Sequence, residues 1–452
     1  MKKNCIIPLE IIDVTADGSG VGKAESGIAV FVPHAAVGDK ISCRIVKVNK
    51  SYAYGIIEEL AVPSPDREKS NCPVSSKCGG CTFRHISYES EIRFKDKLVK
   101  DAFTRLGGFE ELEFEAFCAA GEVDRYRNKA QYPVTEINGG IACGFYGKRS
   151  HRVIPVNDCL LQPEVFSAVM RSCIDFAVKN KIPAYDEKTG NGVLRHIYLR
   201  RGHYTGEVMV CFVVKSMAVK NRLSELAELL ADEFDDVKSV VLNLNPDNTN
   251  VILGSKNITL WGDDFISDTI CGIKVKLSAP SFYQVNTAQA EKIYTYAKDC
   301  ASLTGGETVV DLYCGIGTVG LYFADKAKRI IGGEIIPEAI ANAIENALEN
   351  GIQNAEFILG DAGKIAESLA LNGITTDVTI IDPPRKGCSQ PTLDSIIKMS
   401  PSKIIMISCN PATAARDAAY LCRAGYNIVK VKAFDLFSRT GHVECVVLLS
   451  SG

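Results

Sequence analysis

Nowhere in the 452 residues does the chain stay apolar for about 18 positions, so no membrane-spanning helix and no membrane partner are expected. Neither charge is in clear excess: 51 Lys and Arg face 54 Asp and Glu, a formal net charge of −3. Nucleic-acid binding driven by bulk charge is thereby excluded, and any such binding has to come from a local patch. There is no fixed-period repeat and no low-complexity tract. The start, Met1-Lys2-Lys3-Asn4-Cys5-Ile6-Ile7-Pro8, has a broken apolar stretch and is expected to be a short basic tail before a strand, not a signal peptide. What is plentiful is cysteine. Seventeen thiols, an odd number, mostly stand singly in apolar strands, as Cys211 and Cys445 do. Without an export signal they are read as reduced, buried thiols of a cytoplasmic protein. The composition, 46% hydrophobic and 23% charged, is globular, and the length implies two to three domains.

Residues 1–61 alternate short strands with Gly-rich turns: Asp17-Gly18-Ser19-Gly20-Val21-Gly22 is a turn, and Ile41–Val48 has a period of two. This is the signature of a small OB-like β-barrel, and it resembles the TRAM module, an RNA-binding barrel. Its charges balance at seven basic and seven acidic. Pro63-Ser64-Pro65 marks a linker. Beyond it, residues 62–280 read as an α+β central domain. Residues 88–106 are expected to form an amphipathic helix ended by Gly107-Gly108 and available to pack on the domain that follows.

Residues 281–452 change rhythm. Seven strands alternate with helices, and the last two are joined by a loop too short for a full helix, which predicts a doubly wound α/β sheet closed by an antiparallel hairpin. That pattern suits a class I (Rossmann-like) methyltransferase sheet better than a dehydrogenase sheet. In Val309-Val310-Asp311-Leu312-Tyr313-Cys314-Gly315-Ile316-Gly317-Thr318 a strand runs into a Gly-rich turn that opens a helix. Acids end four successive strands, Asp311, Glu334, Asp361 and Asp382, and converge on the ligand rim of such a sheet. A carboxylate at Glu334 would reach ribose hydroxyls, and one at Asp361 the adenine edge. Asp382-Pro383-Pro384 resembles the loop of amino-directed methyltransferases. There an aromatic follows the prolines; Arg385 stands here instead.

Cys409, in Ile407-Ser408-Cys409-Asn410-Pro411-Ala412-Thr413, falls between a strand and a helix whose N-terminal partial charge would stabilise a thiolate. Such a thiol could add to C6 of a uracil, make C5 nucleophilic, and leave once a base has removed the C5 proton. Cys314 and Cys388 lie in rim loops as rival nucleophiles. Glu444 is the candidate base, an acid in the apolar strand Val443-Glu444-Cys445-Val446-Val447, where burial raises its pKa. His442 is the alternative base.

Taken together, Ser281-Phe282-Tyr283-Gln284-Val285-Asn286, Asp311-Leu312-Tyr313-Cys314-Gly315, Asp382-Pro383-Pro384-Arg385-Lys386-Gly387, Ser408-Cys409-Asn410-Pro411 and Gly441-His442-Val443-Glu444 resemble the motif series of the RNA uracil-5 methyltransferases. The resemblance implies Cys409 as nucleophile and Glu444 as base. It places Gln284, Tyr313, Gly315, Glu334 and Asp382 around S-adenosylmethionine and the target uracil, with Asp361 near the adenine. Thr318 stands where some members carry Asn.

Cys72-x5-Cys78-Gly79-Gly80-Cys81 offers three thiols for zinc or an iron–sulfur cluster, with Cys159 as the expected fourth ligand. The resemblance to ribosomal-RNA members favours a 4Fe–4S cluster in a structural role. Arg125-Tyr126-Arg127-Asn128-Lys129 and Tyr146-Gly147-Lys148-Arg149-Ser150-His151-Arg152 interleave aromatics with cations, a mix suited to RNA, and Arg195-His196 and Arg200-Arg201 extend it. The combined expectation is a monomer that makes 5-methyluridine in 23S ribosomal RNA. Transfer RNA is the alternative substrate. A non-catalytic RNA-binding or remodelling protein is the alternative of another class.

Overall fold

A computed structural model describes residues 1–452. At the N-terminus, β1 (Ile6–Val14), β2 (Gly20–Lys23), β3 (Ala29–Val32), β4 (Lys40–Val48) and β5 (Tyr52–Val62) close a barrel in the order β1-β2-β3-β5-β4. Alternate residues of β1 and β4, among them Leu9, Ile11, Ile41, Cys43 and Ile45, fill its small core.

The chain then runs irregularly past the cysteine segment into α1 (Tyr88–Asp101). Ser87 caps this helix by accepting from Ser90 N at 3.2 Å, and Glu89 and Glu91 suit its N-terminal dipole. Its end widens into a π-turn over Ala102–Leu106, where Gly107 N donates to Ala102 O. Val99, Ala102 and Phe103 pack into the core of the C-terminal sheet, not into the central one.

The central sheet holds β6 (Lys129–Ile137), β7 (Gly140–Tyr146), β8 (Val153–Pro155), β9 (Leu194–Arg201), β10 (Val208–Val214), β11 (Val237–Leu244) and β12 (Lys256–Gly262), in the order β12-β11-β10-β9-β6-β7-β8. Helices α2 (Glu164–Lys179) and α3 (Lys220–Glu233) cover one face. The other face, through Tyr198, Met209, Cys211 and Val213, shares a core with the hairpin β13 (Phe265–Ile270)–β14 (Ile273–Ser278) and with the C-terminal sheet.

Helix α4 (Thr287–Ala301) leads into that last sheet. There follow β15 (Thr308–Leu312), α5 (Thr318–Phe323), β16 (Arg329–Glu334), α6 (Pro337–Glu349), β17 (Ala355–Leu359), α7 (Ala362–Leu371), β18 (Val378–Ile381), α8 (Gln390–Met399), β19 (Lys403–Ser408), α9 (Pro411–Arg423), β20 (Tyr426–Phe434) and β21 (Glu444–Ser451). The order is β17-β16-β15-β18-β19-β21-β20, parallel except for β21, which inserts antiparallel between β19 and β20. Val309, Ile405 and Ile407 face one core and Val310, Ile404 and Met406 the other, so both faces are buried, as a parallel sheet requires.

Candidate active site

The antiparallel insertion builds the centre of the site. β19 pairs with β21 up to Ser408↔Cys445, so the next residue on each strand makes Cys409 the cross-strand neighbour of Glu444. Cys409 is half-buried and Glu444 is buried. Asp382, at the end of adjacent β18, completes the group. Burial pushes Asp382 up to about 7. Burial first and Asp382 second push Glu444 well above the usual carboxylate range, against the pull of Arg385. The two acids disfavour each other's ionisation, so the pair titrates as a unit.

The thiol departs from the sequence expectation. Burial, then Glu444 and Asp382, push Cys409 up to about 11 and outweigh Arg385. The helix terminus does not offset this, and one of its donors, Ala412 N, is already taken by Asn410 Oδ1 at 3.2 Å. The resting group is therefore a thiol. Its rivals face inward. Cys314 is buried with its Sγ on Gly315 O, and burial raises it strongly. Cys388 is buried below the Tyr313 hydroxyl, and burial pushes it up to about 12. His442 accepts at Nε2 from the Arg385 guanidinium at 3.2 Å, and desolvation lowers it to about 4, so it is a neutral acceptor already engaged by a cation.

Around this centre the rim acids differ in what they touch. Asp311 is buried and accepts from Gly320 N at 3.0 Å. Glu334 accepts from Gly315 N at 3.2 Å with one oxygen and from Ile335 N and Ile336 N with the other, so it ties the Gly-rich turn to the end of β16. In that turn Gly315 and Gly317 take φ of +56° and +84°, and Tyr313 takes +68°. Asp361 is exposed and caps α7 through Gly363 N and Lys364 N. Thr318 is buried at the first turn of α5. Gln284 is half-buried, and its carbonyl accepts from Asn128 Nδ2 at 2.8 Å, which fastens the loop before α4 to the central sheet.

A second centre lies in the central part of the chain. Cys72, Cys78, Cys81 and Cys159 together line one cavity of about 100 Å³. Arg84 and Arg127 line it as well. The Nε of each is buried without a partner, and so is Gln162 Oε1. Unpaired guanidinium donors beside four thiols fit an anionic, thiolate-bound group. No three His, Cys, Asp or Glu side chains anywhere are gathered to hold a single metal ion.

The family model for tRNA (uracil-5-)-methyltransferases matches residues 255–452, and that for the TRAM domain matches residues 5–57. An uncharacterized RNA methyltransferase of Halalkalibacterium halodurans is 42% identical over 99% of this chain and 98% of its own. One of Listeria innocua is 43% identical over 100% and 98%. The chain belongs to the RNA uracil-5 methyltransferase family. Among solved structures, the Pyrococcus abyssi tRNA (uracil-54, C5)-methyltransferase in complex with S-adenosyl-L-homocysteine superposes with a TM-score of 0.78 and 27% identity, over 98% of this chain and 100% of its own.

In this methyltransferase part of the cationic patch expected from the sequence is structural, while Lys148, Arg149, His151 and Arg152 stay exposed. Arg125 is spent on Asp158, at 2.7 Å through both nitrogens, and on the carbonyls of Cys159 and Gln162. Arg195 is buried on the carbonyls of Asn245, Asp247 and Thr249, and Arg200 on those of Ser278 and Ser281. His196 is buried. Arg149 pairs with Asp17 of the barrel. Sequence spacing cannot distinguish a cation that reaches solvent from one that closes a loop. Two features escaped the sequence reading. Tyr294, buried on α4, sets its hydroxyl among Asp382, Thr318 and Gln284. On the barrel, Phe31, Tyr52 and Tyr54 group half-exposed rings with centroids 5.6–5.8 Å apart. The alternation of Tyr52 and Tyr54 was the available signal.

Proposed function

We propose that the chain transfers a methyl group from S-adenosylmethionine to C5 of a uridine in folded RNA, through a covalent bond between Cys409 Sγ and C6 of the base. The observation that carries this reading is the cross-strand pairing that sets a thiol beside a buried carboxylate at the ligand rim. Gln284, Tyr313, Gly315, Thr318, Glu334 and Asp361 are the residues proposed to hold the cofactor. The cofactor supplies the methyl group, and its sulfonium charge favours ionised carboxylates at the rim.

Cys409 starts as a thiol, so its proton must leave as the Sγ–C6 bond forms. Asp382 accepts it, and the C5=C6 electrons move to the C4 carbonyl as an enolate. C5 then takes the methyl. Glu444 removes the C5 proton, the C5=C6 bond re-forms and the Sγ–C6 bond breaks. The departing thiolate recovers its proton from Asp382. Carboxylates held above their usual range suit both proton transfers.

RNA carrying 5-fluorouridine tests the reading, because no C5 proton can be removed and the methylated adduct persists. The native chain should give a denaturation-resistant protein–RNA species and Cys409→Ala none. Methylation by Cys409→Ala would falsify the mechanism.

Cys72, Cys78, Cys81 and Cys159 are proposed to hold a 4Fe–4S cluster. The unpaired arginine donors beside the four thiols support an anionic thiolate-bound group, with zinc as the alternative. For the substrate we propose 23S ribosomal RNA, on the resemblance of the cysteine spacing to ribosomal members. Transfer RNA is a second reading, favoured by one observation: an enzyme named for tRNA spans this whole architecture, barrel included. Methyl incorporation into purified 23S RNA and into bulk tRNA, each lacking the modification, separates the two.

A further inference from the structure

Lys95 is wholly buried on α1, far in sequence from the catalytic strands. Its Nζ donates to Glu91 Oε1 and Asp435 Oδ1, both at 2.7 Å, and to Phe437 O at 3.1 Å. Asp435 accepts in addition from Tyr88 OH at 2.7 Å and Ser438 Oγ at 2.9 Å, and Glu91 accepts from Arg439 N at 2.7 Å. All of these converge on the loop that joins β20 to β21 and delivers His442 and Glu444.

Other parts of the molecule grip the same loop. Thr82 N and Phe83 N, directly after Cys81, donate to Arg439 O at 2.8 and 3.2 Å. Tyr126 OH, from the segment entering the central sheet, donates to Ser438 O at 2.9 Å. Asn286, which caps α4, and Gln289 on it hold the carbonyls of Leu436 and Asp435. A Cβ on Gly441 would lie 2.7 Å from Ala16 O of the barrel. The loop runs straight into β21, whose first residue is the buried Glu444, so the loop's position sets where that carboxylate starts.

We propose that Lys95 is a positioning residue: its buried ammonium fixes the Asp435–His442 loop and so places Glu444 for removal of the C5 proton. A buried ionic cluster is a weak source of net stability compared with apolar packing, yet it fixes geometry, because every partner must sit where its charge is answered. A carboxylate displaced by a fraction of an ångström still lies at the rim but loses its line to C5. The proposal rests on Glu444 being the base, so the test includes a control for that role.

The test is single-turnover kinetics on RNA with ordinary uridine, following formation of the methylated protein–RNA adduct and its resolution separately. Glu444→Gln is the control and should accumulate adduct; if it does not, the assignment of the base fails first. Lys95→Met keeps the stem and deletes the charge. It should form adduct within about threefold of the native rate and resolve it about a hundredfold more slowly. If Lys95→Met does not fold, Tyr126→Phe and Tyr88→Phe, which each delete one hydroxyl, carry the same readout with about a tenfold slower resolution. Accumulation in Glu444→Gln with none in the loop variants, or equal slowing of both steps, overturns the positioning role and leaves Glu444 as the base.

Discussion

Burial raises the Asp311 carboxyl to about 7, although its Oδ2 accepts a hydrogen bond from Gly320 N. Desolvation of the charge outweighs that one donor, and nearby Asp382 and Glu334 add to it. The sign of the consequence is fixed. Between an unfolded value near 3.8 and a folded value near 7, the folded protein binds the extra proton, so this group's contribution falls as pH rises through that window. Asp311→Asn keeps an oxygen for Gly320 and removes the charge. It should raise the melting temperature by about 2–4 °C at pH 8 and leave it nearly unchanged at pH 4, as read by thermal denaturation at the two pH values. Side-chain chemistry at this scale was partly legible in advance. The sequence placed Asp311, Glu334 and Asp382 at strand ends, because strand periodicity fixes where a strand stops. It could not show that Cys409 would be a protonated thiol. That depends on burial, on Glu444 arriving from a strand 35 positions later and on the strand-end carboxylate of Asp382.

Helix α9 shows how one cap serves both packing and chemistry. Asn410 Oδ1 accepts from Ala412 N while its Nδ2 donates to Arg385 O at 2.9 Å, so the same amide starts the helix and ties down the loop after Asp382. Asn410→Ala should cost about 1 kcal/mol, the ordinary value of a lost N-cap. The loss in adduct formation should be larger than that stability change explains, because Arg385 is freed from beside Cys409; denaturant titration and adduct kinetics measured together check this. The elements themselves were largely legible. Apolar periodicity marks β15 to β21 within a residue or two, and the short β20–β21 connection predicts the antiparallel hairpin seen. The segment from 107 to 127 was not. Phe114 and Cys118 bridge to Val431 and Phe434 of β20, more than 300 residues away, and nothing local in the sequence encodes such pairing. The amphipathic pattern of α1 was plain, and the helix was expected to be available to pack on the C-terminal domain; Val99, Ala102 and Phe103 share a core with Ile404 of β19 and Ala415 of α9.

For the whole molecule, the proposed four-cysteine cluster would act as a staple. It would join the segment after the barrel to the Cys159 loop; Arg125 holds that loop through Asp158, and Arg84 ties the segment after the barrel to Asp124. A group bound by Cys72, Cys78, Cys81 and Cys159 closes a chain loop of about 80 residues, and closing so long a loop constrains the unfolded ensemble strongly. Without the group, Arg84 Nε and Arg127 Nε remain buried and unanswered, which adds a desolvation cost to the lost cross-link. Cys159→Ala removes the one ligand that is distant in sequence and leaves the other three in their loop. The native protein, prepared without oxygen, should be brown with iron and sulfide in equal amounts, and the variant should lose most of both. Because Thr82 and Phe83 follow Cys81 and hold Arg439 O, the damage should spread to the β20–β21 loop. Hydrogen exchange should therefore rise at Arg439 to His442 in the variant while the α2 and α3 side of the central sheet stays protected. Zinc in place of iron would overturn the cluster, and unchanged exchange at Arg439 would show that the staple and the catalytic loop are mechanically separate.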